Sequence, residues 1–174
     1  MAILPIVELP DPLLRLVSQP VETVDDEVRR LIDDMIETMY DAHGIGLAAI
    51  QVGIDRRVVV IDLQEQEDAD GKPICDPRAY VNPEILSVSD EIASYNEGCL
   101  SIPEQYADVA RPSECRVRWL DRDGTAQEDN LDGLLSTCMQ HEIDHLNGVL
   151  FIDHISRLKR DMLVKRLAKT RKAA

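Results

Sequence analysis

The 174-residue sequence predicts an α+β fold in a single domain spanning residues 1–174. Three observations carry that expectation. Apolar residues recur with helical period near both ends of the chain, and short β-branched or alternating segments fill the middle. The resulting order is helix, several strands, helix, helix, without the regular strand–helix alternation of a doubly wound sheet. A hydrophobic fraction of 44% beside 30% charged residues is ordinary globular composition.

The first helix follows Thr23, which reads as its N-cap, with Asp25, Asp26 and Glu27 in the first turn where the helix dipole favours acids. Val28, Leu31, Ile32, Met35, Ile36 and Met39 then form one apolar stripe, and Gly44 supplies the stop. The β-branched run at 58–63 reads as a buried strand. Residues 64–80 carry Gly71, Pro73 and Pro77 among many acids and read as a loop or hairpin tip. Segments 80–89 and 115–120 have strand composition. In the second, Val117 and Trp119 alternate with Arg116 and Arg118, which predicts one buried and one wet face. A turn at 121–124 precedes a second helix over about 131–146, and a third follows over about 156–168.

The net charge of -14 is unevenly spread. From Arg157 onward there are eight Lys or Arg against one acid, whereas the first 156 residues carry 11 basic and 32 acidic side chains. An acidic body repels phosphate backbones, so direct nucleic-acid readout by the body is not expected. The basic 156–174 segment, with Leu158, Met162, Leu163 and Leu167 as apolar positions, reads as an amphipathic helix. No stretch approaches the roughly 18–20 apolar residues needed to span a bilayer. The N-terminus lacks the features of a signal peptide, and a cytoplasmic location is expected. Cys75, Cys99, Cys115 and Cys138 show no CxxC pairing and read as thiols.

The chemistry is concentrated at 140–145, which contains H-E-x-x-H. Residues four apart share a helical face, so His141 and His145 can reach one cation. Glu142 is offset by roughly 100° and can sit beside a bound water without being a ligand. Catalytic metal sites usually take three protein ligands. Cys138 is seven residues from His145, about 10.5 Å along the axis, too far for both to meet donor distances of about 2.0–2.3 Å. The third ligand comes from elsewhere, and spacing does not choose among Cys99, Cys75, Cys115 and many carboxylates. Two further segments stand out. One is 97–101, with Cys99 behind a glycine. The other is 44–51, where small residues permit close approach and Gln51 offers an amide.

Taken together, GIGLAAIQ (44–51), EGCLS (97–101) and QHEIDH (140–145) closely resemble the three signature motifs of bacterial peptide deformylases, in the same order. The resemblance extends from Pro10 through the C-terminal helix. It implies a metal-dependent hydrolase that removes the formyl group from N-formylmethionyl nascent peptides. The implied ligands are Cys99, His141 and His145 around one divalent ion per chain, Fe(II) natively, with Ni, Co or Zn able to substitute. Glu142 would be the general base and acid, and the Gln51 amide and Leu100 N–H would meet the oxyanion. Backbone near Ile45 and Gly46 would pair with the peptide, while Ile45, Leu134, Cys138 and His141 would receive the methionine side chain. Glu97 and Asp144 are candidates for orienting an imidazole, and Arg111 for pairing with one of them. The basic C-terminal helix would dock on the ribosome. The fold implied is a set of antiparallel or mixed sheets around a central metal-binding helix, with an N-terminal and a C-terminal helix. This chain departs from some members at Tyr106, where they carry arginine, and in 64–79, longer than the turn of compact members. Two other readings of the motif are a zinc endopeptidase of the H-E-x-x-H type and a non-enzymatic metal-binding module associated with the ribosome.

Overall fold

Val58–Ile61 is buried at all four positions, a pattern that a strand shows only when both faces of its sheet are covered. In the computed structural model, which describes residues 2–173, that strand is β2. It lies between β1 (Gly46–Ala48) and β3 (Arg78–Val88), followed by β6 (Cys115–Leu120) and β7 (Ala126–Leu131). Every pairing in this five-stranded sheet is antiparallel. Val58 and Val60 point to one face, where Val28, Ile32, Met35 and Met39 of helix α1 (Asp26–Asp41) complete a core. Val59 and Ile61 point to the other, against Cys138, Met139, Ile143 and Leu146 of helix α2 (Gly133–Leu146).

Strands β4 (Ile92–Cys99) and β5 (Ile102–Pro112) form a separate antiparallel hairpin. Leu100 and Ser101 make its turn, and the register shifts between Gly98 and Cys99. A third core joins Ile102 and Val109 of this hairpin to Leu163 and Leu167 of helix α3 (Arg157–Ala173) and to Phe151 and Ile152. The expected α+β architecture, with antiparallel sheets around a central helix, is what the chain adopts. No helix among the described residues is long and apolar enough to cross a membrane.

Several local expectations change. The N-cap of α1 is Asp25, not Thr23: the Asp25 carboxylate accepts the Val28 N–H at 3.0 Å. An ionised cap also complements the helix dipole, which a threonine does not. In α3, Leu163 and Leu167 are buried, whereas Leu158 and Met162 are exposed, so its apolar positions divide between core and solvent. Strand β3 continues through Pro83 because the chain bulges there. Asn82 adopts a left-handed φ of 51°, and its side chain exchanges two hydrogen bonds with the backbone of Val21.

The revised cap gives a direct prediction. Asp25→Ala should lower the stability of the metal-free protein by about 1 kcal/mol, while Thr23→Ala stays within about 0.5 kcal/mol of the parent in urea unfolding.

Candidate metal centre

Helix α2 is buried over nearly its whole length from Ser136 to Leu146, so the two histidines it carries face protein rather than solvent. Cys99, at the end of β4, meets them from the hairpin. The ligating atoms of Cys99, His141 and His145 all lie within 4.8 Å of one another, and the Cys99 Sγ is 3.3 Å from His145 Nε2. The set is one thiol and two imidazoles with their backs buried. Such soft and borderline donors suit a first-row divalent transition ion.

The orientation of His141 is fixed from behind. Its Nδ1–H donates to Glu97 Oε1 at 2.9 Å, which leaves Nε2 free to face Cys99 and His145. Arg111, on β5 and 4% exposed, donates to both Glu97 oxygens at 2.8 and 3.0 Å and to Asp144 at 2.8 Å. Burial alone would push the Glu97 carboxyl upward, but the bonds from His141 and Arg111 outweigh it and hold Glu97 below the usual carboxylate range. Asp144, the other candidate for orienting an imidazole ligand, instead pairs with Arg111 and His154. Burial also lowers the pKa of His145, favouring the neutral ring whose lone pair a cation needs. Its Nδ1 has no hydrogen-bond partner among the described residues.

Glu142 follows His141 and projects toward the cleft. Burial pushes its carboxyl up to about 7, and its Oε2 has no hydrogen-bond partner among the described residues. The opposite wall comes so close at Gly46 that even a methyl group would crowd it. A Cβ there would lie 3.0 Å from Cys138 Sγ and 3.2 Å from Glu142 Cδ. Gln51 is almost wholly buried. Its Oε1 accepts the Ala48 N–H at 2.9 Å, which aims Nε2 at Ser101 Oγ (3.1 Å) and Cys99 Sγ (3.4 Å).

These residues border a cleft of about 410 Å³. All ten positions singled out in the sequence converge here. Ile45, Gly46, Gln51, Cys99, Leu100, Leu134, Cys138, His141 and Glu142 line the cleft, and His145 completes the donor cluster behind them. Burial raises the Cys138 thiol far above its ordinary pKa, so it contributes apolar wall, as its helical phase requires. Sequence reasoning passed over Tyr95 and Thr137 in this wall. The Tyr106 ring packs against Gly98, where a Cβ would lie 2.5 Å from it; that contact explains the glycine before Cys99. No periodicity marks such a position, because it depends on the cross-strand register Gly98–Tyr106.

Comparison with known proteins agrees with this geometry. The sequence model of the polypeptide deformylase family matches residues 3–161. A peptide deformylase of Rhizorhabdus wittichii is 64% identical over 173 residues, covering 99% of this chain and 98% of its own. A crystal structure of a peptide deformylase from Legionella pneumophila superposes with a TM-score of 0.89 at 44% identity, covering 99% of this chain and 97% of that one. A peptide deformylase from Ehrlichia chaffeensis, crystallised with actinonin, superposes with a TM-score of 0.87 at 40% identity and 98% coverage of both chains.

The buried guanidinium is the feature most exposed to mutation. Arg111→Met would strand the Glu97 carboxylate without its counter-ion, and we expect a loss of about 3–5 kcal/mol in denaturant unfolding of the metal-free protein.

Proposed function

The chain belongs to the polypeptide deformylase family, metal-dependent hydrolases that remove the N-formyl group from nascent peptides, and we propose how its own residues divide that work. Cys99, His141 and His145 hold one divalent ion, Fe(II) natively, with Ni, Co or Zn as substitutes. The observation that carries this reading is the convergence of the Cys99 thiol and two imidazoles from two separate elements, with Glu142 beside them. When bound, such an ion lowers the pKa of water and polarises a carbonyl oxygen.

Glu142 takes a proton from the attacking water as its oxygen bonds to the formyl carbon, and passes it to the amine nitrogen as the C–N bond breaks. Formate and a free amino terminus result. A carboxyl near 7 is poised for both transfers around neutral pH. The Gln51 Nε2–H and the Leu100 backbone N–H donate to the oxygen that gains negative charge. Backbone of Ile45 and Gly46 pairs with the extended peptide, and Ile45, Leu134, Cys138 and His141 receive the methionine side chain. The reaction takes place in the cytoplasm. The basic face of α3, which leaves Leu158 and Met162 exposed, docks the enzyme on the ribosome.

Formate release from formyl-Met-Ala-Ser tests the assignment. The parent should turn over. Glu142→Ala should lose about 10²–10⁴-fold in rate while keeping its metal, and Cys99→Ala should lose both. Cleavage of an internal peptide bond, or full activity in either variant, would contradict it. Deleting 159–174 should abolish cosedimentation with ribosomes at low salt; unchanged cosedimentation removes the docking role.

A further inference from the structure

His154 is a histidine beside the centre that the reaction leaves unused. It ends the short 3-10 turn Phe151–His154, which follows α2 and precedes α3. The turn touches the metal centre at two points. Phe151, fully buried, lies nearly parallel to the His141 ring, with centroids 6.1 Å apart and planes inclined by 22°. At the other end of the turn, His154 Nε2–H donates to Asp144 Oδ2 at 2.8 Å. The same Asp144 oxygen accepts from Arg111 at 2.8 Å. Arg111 in turn grips both oxygens of Glu97, and Glu97 accepts the Nδ1–H of His141. An unbroken line of charge-assisted hydrogen bonds therefore runs from a partly exposed histidine to the back of a ligating imidazole.

The charges along this line explain why its outer end matters. Arg111 is one cation between two carboxylates, Glu97 and Asp144. Asp144 is the more exposed of the two, with 23% of its side chain accessible against 6% for Glu97. Without a second donor, Asp144 is free to turn toward water, and Arg111 loses the contact that fixes its third N–H. The guanidinium then has room to shift against Glu97. A planar, forked donor transmits such a shift, because its two N–H bonds to Glu97 move together.

We propose that His154 is a positioning residue for the metal centre, holding Asp144 and Arg111 so that Glu97 keeps His141 in its ligating orientation. This inference rests on the reading that Cys99, His141 and His145 hold the metal. His154 touches neither substrate nor metal, so its signature is in metal affinity and not only in turnover. Removing a direct orienting partner of a ligand typically costs 10–100-fold in affinity. His154 stands two partners further out, and a loss of about threefold to tenfold is expected.

The test measures the Co(II) dissociation constant by competition with a chelator, on full-length protein at equal folded fraction by far-UV circular dichroism. His154→Leu should bind Co(II) about threefold to tenfold more weakly than the parent. His154→Gln, which retains an N–H donor, should recover most of that loss. In an Asp144→Asn background, His154→Leu should add little further loss, because the two residues act through one contact. Affinity of His154→Leu within twofold of the parent would overturn the proposal. So would a Gln variant as weak as the Leu variant, or full additivity with Asp144→Asn. A parent that binds no Co(II) would overturn the ligand assignment as well, whereas a parent and a Leu variant that bind equally well would overturn this inference alone.

Discussion

Arg111 joins the two elements from which the metal centre is assembled. Cys99 comes from the β4–β5 hairpin and the histidines from α2, and the hairpin shares no strand pairing with the main sheet. Glu97, two residues before Cys99, and Asp144, one residue before His145, are both held by the same guanidinium. Each is close enough in sequence to a ligand that fixing the carboxylate fixes the ligand's backbone. Burying such a cluster is not in itself stabilising, since desolvation offsets much of the Coulombic attraction. Its contribution is geometric: alternative placements of the hairpin on α2 would leave the buried Arg111 or Glu97 charge without its full set of partners.

The apolar packing makes this placement possible. Because α1 and α2 cover opposite faces of the five-stranded sheet, β2 can be β-branched throughout, and α2 is held rigidly enough to present His141, Glu142 and His145 together. Gly46 lets the edge strand β1 approach Glu142, and Gln51 follows in the next turn with its amide oxygen tied to the β1 backbone. One wall of the cleft is therefore sheet edge, another is hairpin, and the floor is helix. A proton-carrying carboxyl sits where the three meet. Burial raises the Glu142 pKa, whereas Glu97, also buried, stays ionised because His141 and Arg111 satisfy it.

Much of this is legible in the sequence, and the exceptions share a cause. Helices α1 and α2 and strands β2 and β6 declare themselves because one face or both faces meet the core, so their apolar residues follow a period. Strands β4 and β7 do not: β7 is polar along most of its length and exposed until Leu131, its order coming from hydrogen bonds to β6. Strand β5 carries Pro103 and Pro112, which argue against a strand unless the partner is known. Within the site, the histidine pair is visible from spacing alone, because both residues lie on one helix. Cys99 is not, since its place depends on a hairpin packing 42 residues earlier in the chain against α2. Family resemblance supplied it. The resemblance offers Arg111 either Glu97 or Asp144 as a partner; that one guanidinium holds both is visible only in the tertiary fold.

The account's central claim is that one sulfur from the hairpin and two nitrogens from α2 share a single metal ion. X-ray absorption at the metal edge of the loaded protein tests it directly. The account predicts one sulfur scatterer at about 2.3 Å and two imidazole nitrogens at about 2.0–2.1 Å. A first shell without sulfur, or with two sulfurs, would contradict it.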